Sequence, residues 1–152
     1  MKTYKIAVER TIHAAHPKVY NLVVDMEEHR RILPKQFESL DVLEGGKGAG
    51  TVFRLNMNVM GNRSSLVMTI VEPKPGQIIQ EQDKTAGVTT TWELIPIEEG
   101  RCRIRLTSEF QRKPGVAGAL EQLIVKPVIR SIYRQELDNI NEYATKGVVS
   151  RK

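Results

Sequence analysis

The sequence predicts an α+β fold: a curved seven-stranded antiparallel sheet wrapped around a long C-terminal helix, with two short helices between strands 1 and 2. Three observations carry this expectation. The stretch from Pro114 to Thr145 is the one run too long and too apolar to be anything but helix. Residues 36–111 read as strand after strand, several alternating apolar and polar side chains. The turns between them are short, which joins consecutive strands as an antiparallel meander. A seven-stranded sheet with one apolar face must curl or be covered. Only the terminal helix is large enough to cover it.

The first strand is expected over 3–13, where Tyr4, Ile6 and Val8 alternate with Lys5, Ala7 and Glu9. A helix start follows at His16-Pro17, because proline is pre-organised for a first helical turn. Val19, Tyr20, Leu22 and Val23 then give a short amphipathic segment. Asp25 and Glu28 have capping-box spacing for a second short helix over 26–32, stopped by Leu33-Pro34. Strands follow at 37–44, 50–60, 63–72, 77–83, 87–96 and 101–111. Their separators carry turn chemistry, from Gly45-Gly46-Lys47-Gly48 to Glu98-Glu99-Gly100. On the apolar side fall Phe53, Leu55, Met57 and Val59, then Val88, Trp92 and Leu94, then Cys102, Ile104, Leu106 and Phe110.

The terminal helix carries two apolar stripes. Val116, Ala117, Leu120, Leu123 and Ile124 share one face, and Ile129, Ile132, Tyr133, Leu137, Ile140 and Ala144 share another, roughly opposite. Pro127 lies between them, lacks an N–H and clashes with the preceding turn. Two segments, 115–126 and 128–145, are therefore expected, each turning its own stripe inward across a kink or break.

At 152 residues the chain is expected to be a single domain, 1–152, able to bury roughly two-thirds of its unfolded surface. With 40% hydrophobic and 27% charged residues it is ordinary for a soluble protein. No apolar run is long enough to span a bilayer and no signal peptide is evident, so stable membrane insertion is not expected. The single cysteine, Cys102, rules out an internal disulfide and suits a reducing cytoplasm. The net charge of +5 is spread among acidic neighbours with no aromatic-and-basic platform, so nucleic acid is not expected as a partner. Gly46-Lys47-Gly48-Ala49-Gly50 leads into a strand rather than a helix, which rejects a nucleotide loop.

The order of elements, with the local text at several places, resembles the START-related and birch-pollen-allergen-like superfamily. Within it the sequence is similar to the bacterial polyketide cyclase/dehydrase and lipid-transport branch. The residues that carry the likeness are His16-Pro17 through Asp25, Leu33-Pro34, Glu44 through Thr51, the turn from Glu72 to Gly76, Thr91-Trp92-Glu93-Leu94 with Pro96, and Gly118 to Leu123. The resemblance spans essentially the whole chain. It implies the helix-grip fold and a cavity for hydrophobic small molecules or lipids. It implies no shared catalytic residue, because members range from carriers to enzymes.

A curled sheet closed by a helix leaves a hollow, concave and mostly apolar. The residues expected to line it are Phe53, Leu55, Met57, Met68, Trp92, Ile104, Leu106, Val128, Ile132 and Glu136. Glu136 is the candidate catalytic residue, since it falls inside an apolar stripe between Ile132 and Ile140. A carboxylate so placed gains a raised pKa and can act as acid or base. The competing expectation has it snorkel out or pair with Arg54, Arg103 or Arg105. Glu81 and Asp83 share a strand face, as a paired-carboxylate site would need, but their position near a turn favours a solvated edge. His13, His16 and His29 lack metal-ligand spacing and read as turn, cap or surface residues, so neither a metal nor a cofactor is expected.

The first functional expectation is a non-catalytic carrier or sensor of a hydrophobic small molecule or lipid, monomeric or homodimeric, with Pro127 and a loop over 112–120 gating access. The second is a polyketide cyclase or dehydratase using the same hollow, marked by a second titratable group facing Glu136. A third, a partner-binding module, requires a filled core and an exposed apolar patch.

Overall fold

A computed structural model describes residues 2–149. The elements follow in the expected order: β1 (Thr3–Ile12), α1 (His16–Val24), α2 (Met26–His29) with a 3-10 turn (Arg30–Ile32), then β2 (Phe37–Glu44), β3 (Val52–Val59), β4 (Asn62–Lys74), β5 (Ile78–Asp83), β6 (Val88–Glu98), β7 (Arg101–Gln111) and α3 (Gly115–Lys146). The strands form one sheet in the order β1-β7-β6-β5-β4-β3-β2. Every pairing is antiparallel, from Val8↔Leu106 at one side to Leu40↔Leu55 at the other.

The inward residues of β1, β6 and β7 form the core with the second stripe of α3. Ile6, Val8 and Ile12 of β1, Trp92 and Leu94 of β6, and Cys102, Ile104 and Leu106 of β7 are buried with Ile132, Leu137, Ile140 and Ala144. Each large aliphatic side chain so placed contributes about 1.5–3 kcal/mol relative to exposure. Asn139 fastens the helix to the 3-10 turn by donating from Nδ2 to the Ile32 carbonyl, 3.0 Å.

Two expectations about α3 are corrected. The helix is continuous through Pro127, with no break into 115–126 and 128–145. Leu123, whose carbonyl loses its partner at Pro127, lies on the solvent side, as does the proline itself. A carbonyl on the solvent side is open to water, so the missing bond need not end the helix. The first stripe is also not turned inward: Val116, Leu120, Leu123 and Ile124 are exposed. Helix replaces most of the expected loop over 112–120, leaving a connection of only three residues, 112–114. Gly118 sits against that connection, and a Cβ there would stand 1.9 Å from the Lys113 carbonyl oxygen.

The glycine-rich stretch before β3 is a structural clasp. Gly48 N–H donates to the Val24 carbonyl (3.1 Å), Ala49 N–H to Glu72 Oε2 (3.0 Å) and Gly50 N–H to the Ile70 carbonyl (2.9 Å). Met26 N–H in turn donates to the Gly46 carbonyl, 2.9 Å. These amides spend their hydrogen bonds on the protein's own carbonyls and the Glu72 carboxylate, and so hold the α1–α2 junction, which ends at His29, against the sheet.

Candidate functional site

Between the sheet and α3 lies a cavity with walls from β2 to β7, the 3-10 turn's exit and the inner face of α3. The space in which the centre of a water molecule fits is about 60 Å³, and the atom-free space including the mouth is about 690 Å³. The smaller figure holds only a few waters, at roughly 10–15 Å³ each. A drug-sized molecule needs several hundred Å³, so it enters only as side chains such as Met57, Met68 and Phe37 move aside. Thioether chains repack at low cost.

Phe53, Leu55, Met57, Met68, Trp92, Leu106, Ile132 and Glu136 all line this space. Ile104 and Val128 do not. Ile104 is fully buried in the core beside the cavity, and Val128 packs at the side of the helix against that core. Phe37, Leu40, Val59, Leu66, Val88 and Phe110 add to the apolar wall.

The polar part of the wall was not anticipated as a group. His29, Glu81 and Glu136 come from α2, β5 and α3, and all are buried, at 3–7% exposure. His29 Nε2 stands 3.2 Å from Glu136 Oε2. Its Nδ1 lies 2.9 Å from the Val23 carbonyl oxygen. A carbonyl only accepts, so Nδ1 carries a hydrogen. The Nε2 contact with a carboxyl oxygen then needs its own proton, which an imidazolium supplies. Burial alone would push the imidazolium pKa down, but the hydrogen bond to Glu136, the charge of Glu81 and the Val23 carbonyl outweigh it and raise the pKa to about 9. His29 also meets Trp92 edge-on, with ring centroids 5.4 Å apart. Trp92 Nε1 donates to Glu81 Oε1, 3.1 Å. Burial holds the Glu81 carboxyl above the usual range, against the opposing pull of His29 and the Trp92 N–H.

Beside this cluster runs a hydroxyl chain. Thr90 Oγ1 and Ser108 Oγ are 2.6 Å apart, and Ser108 Oγ and Tyr133 Oη are 2.5 Å apart. Burial raises the Tyr133 pKa above its ordinary value, which keeps the phenol neutral. Thr90 and Tyr133 both face the cavity.

Three expectations are overturned here. Glu136 neither snorkels nor meets an arginine, because Arg54, Arg103 and Arg105 alternate onto the wet face of the sheet, where Arg105 pairs with Glu9 at 3.7 Å. Glu81 is not on a solvated edge: β5 lies inside the sheet between β4 and β6. Asp83 is separate from it and closes the following turn, accepting from Ala86 N–H (2.9 Å) and Val67 N–H (3.0 Å). His29 is buried rather than on the surface. Signals for both were present: His29 follows Val19, Leu22 and Met26 at helical spacing, and Glu81 shares the parity of Ile79.

A family model described as polyketide cyclase/dehydrase and lipid transport matches residues 3–145. Among solved structures, the KanY protein superposes with a TM-score of 0.83 at 22% identity, over 95% of this chain and 99% of that one. The Zhui aromatase/cyclase from Streptomyces sp. R1128 gives 0.77 at 18% identity, over 95% of each chain. Norcoclaurine synthase from Thalictrum flavum, in complex with dopamine and hydroxybenzaldehyde, gives 0.70 at 17% identity, over 98% of this chain and 90% of that one. At such identities the likeness is one of fold. No curated protein matches the sequence.

Proposed function

Because the chain belongs to the polyketide cyclase/dehydrase and lipid-transport family, we propose that it binds a hydrophobic small molecule or lipid in the cavity between its sheet and α3. The observation that carries this reading is a largely apolar wall with one polar corner, where His29, Glu81 and Glu136 stand. Apolar ligand surface buried there gains about 25 cal/mol per Å² before ordering costs. The polar corner accepts or donates one hydrogen-bonded head group, which sets the ligand's direction. A structure of the same fold holds dopamine and hydroxybenzaldehyde, small aromatic molecules with polar ends.

Native mass spectrometry of freshly purified protein, with extraction of whatever travels with it, tests the proposal. A co-purifying amphiphile, or saturable loading of an apolar fluorescent probe, is expected. Met68→Trp, which fills the cavity, should abolish loading in a protein that still melts cooperatively. Failure of every apolar probe to load would overturn the reading.

The titratable corner favours a second reading, the cyclase or dehydratase. Glu81 with its raised pKa is a proton donor, and the His29–Glu136 pair is a proton acceptor and store on the same wall. A flexible substrate folded by the apolar wall would present a carbonyl or hydroxyl oxygen to that corner. With a candidate polyketide-like substrate, Glu136→Gln and Glu81→Gln should each abolish turnover while leaving binding intact. Unchanged turnover in both removes catalysis from the account.

A further inference from the structure

The outer face of α3 is unlike that of a helix which meets only water. Val116, Leu120, Leu123 and Ile124 follow at helical spacing along its first turns, each 56–77% exposed. Pro127 continues the same side, and Arg130 and Arg134 succeed it. Residues 112–134 contain Arg112, Lys113, Lys126, Arg130 and Arg134 against Glu121 alone, five less one, or +4 of the chain's +5. Lys113 pairs with Glu121 at 3.3 Å and Lys126 lies over the Tyr4 ring. Arg130 and Arg134 form no ion pair among the described residues.

A second observation lies at the tip of the β3–β4 hairpin. Met60 is 72% exposed. Its φ of 55° is left-handed, which costs a side chain other than glycine roughly 1–2 kcal/mol. Neither water nor backbone geometry favours methionine there. Alternate strands of a meander point the same way, so β3, β5 and β7 all end at one end of the sheet. Met60 and the start of α3 therefore share that end. The cavity reaches it through Val59, Val88 and Phe110.

We propose that this end of the molecule docks reversibly on an anionic lipid surface. The apolar side chains of α3 and Met60 dip into the head-group region while Arg130 and Arg134 meet the negative charge of the lipid. A second copy on the same face would bring two segments of +4 together, which disfavours self-association there. The docking is interfacial, since no described helix is long and apolar enough to cross a membrane. It does not depend on what fills the cavity.

Co-sedimentation of the full chain with phosphatidylcholine vesicles, with and without about one-third phosphatidylserine, tests the proposal at low and high salt. Anionic vesicles should bind at least about tenfold more tightly, an advantage that salt erodes. Arg130→Gln and Arg134→Gln should each weaken binding about fivefold. Leu120→Gln with Leu123→Gln should weaken it about tenfold or more, with circular dichroism and the melting curve unchanged. Should that double variant misfold, Met60→Asn serves instead, because asparagine suits a left-handed turn, and it too should lower binding. Four outcomes overturn the proposal: no sedimentation with either vesicle, equal binding to both, binding that survives the apolar replacements in folded protein, or a dimer dissolved by Leu123→Gln in a chain that ignores vesicles.

Discussion

His29 holds its imidazole between a carbonyl and a carboxylate, and its protonation is tied to folding. Its pKa rises from the ordinary 6.5 to about 9 in the folded chain. A raised folded pKa contributes stability that is fully present below 6.5 and is lost as pH climbs through 9. The contribution is on the order of 3 kcal/mol. Urea unfolding should therefore show stability falling between pH 6.5 and pH 9.5, and His29→Gln should flatten that limb. Glu81 acts in the same sense, because burial raises its pKa. Its neutral form suits the fold, and stability drains away as pH rises above the ordinary carboxylate range. Glu81→Gln, which keeps an oxygen for Trp92 Nε1 but removes a charge that supports the His29 imidazolium, should move the His29 limb to lower pH and leave stability little changed near pH 4. Of this corner, Glu136 was legible because a charge inside a helical stripe breaks a simple pattern. Its partner was not legible. His29 and Glu136 lie 107 positions apart in the chain, and only the curl of the sheet brings their elements together.

Strands were legible almost to the residue, since alternation is the direct imprint of a sheet wet on one side. β2 spans Phe37–Glu44 and β7 spans Arg101–Gln111, as their sequences indicate. The start of α3 misled. Helical spacing shows that Val116 to Ile124 share a face, but it does not say whether protein or water lies against that face. Pro127 misled for a related reason, because the cost of its missing bond depends on which side of the helix the orphaned carbonyl lies. Gly118 marks where the short 112–114 connection turns under the helix. Gly118→Ala forces its methyl into the Lys113 carbonyl. The variant should unfold at lower urea, by roughly 1–3 kcal/mol, although alanine is the better helix former. An unchanged midpoint would mean the connection can yield freely.

At the scale of the whole molecule, one sheet, one long helix and two short ones enclose a space none of them defines alone. The fold class followed from element order, and eight of the ten expected wall residues face the cavity for the same reason. Its capacity did not follow. Whether side chains fill or leave a hollow depends on volumes summed over six strands and a helix. The modest room inside implies that loading requires loosening, and a ligand that does enter should raise the melting temperature with the logarithm of ligand concentration once that exceeds Kd.

Cys102 gives that loosening a built-in clock. It is fully buried in β7, and burial pushes its thiol up to about 11. A thiol so shielded reacts with a disulfide reagent only when the strands around it part. As the chain's sole sulfhydryl, it yields one unambiguous trace per opening event. Occupancy of the hollow should slow that trace, and the slowing can be timed before anyone knows the identity of the guest.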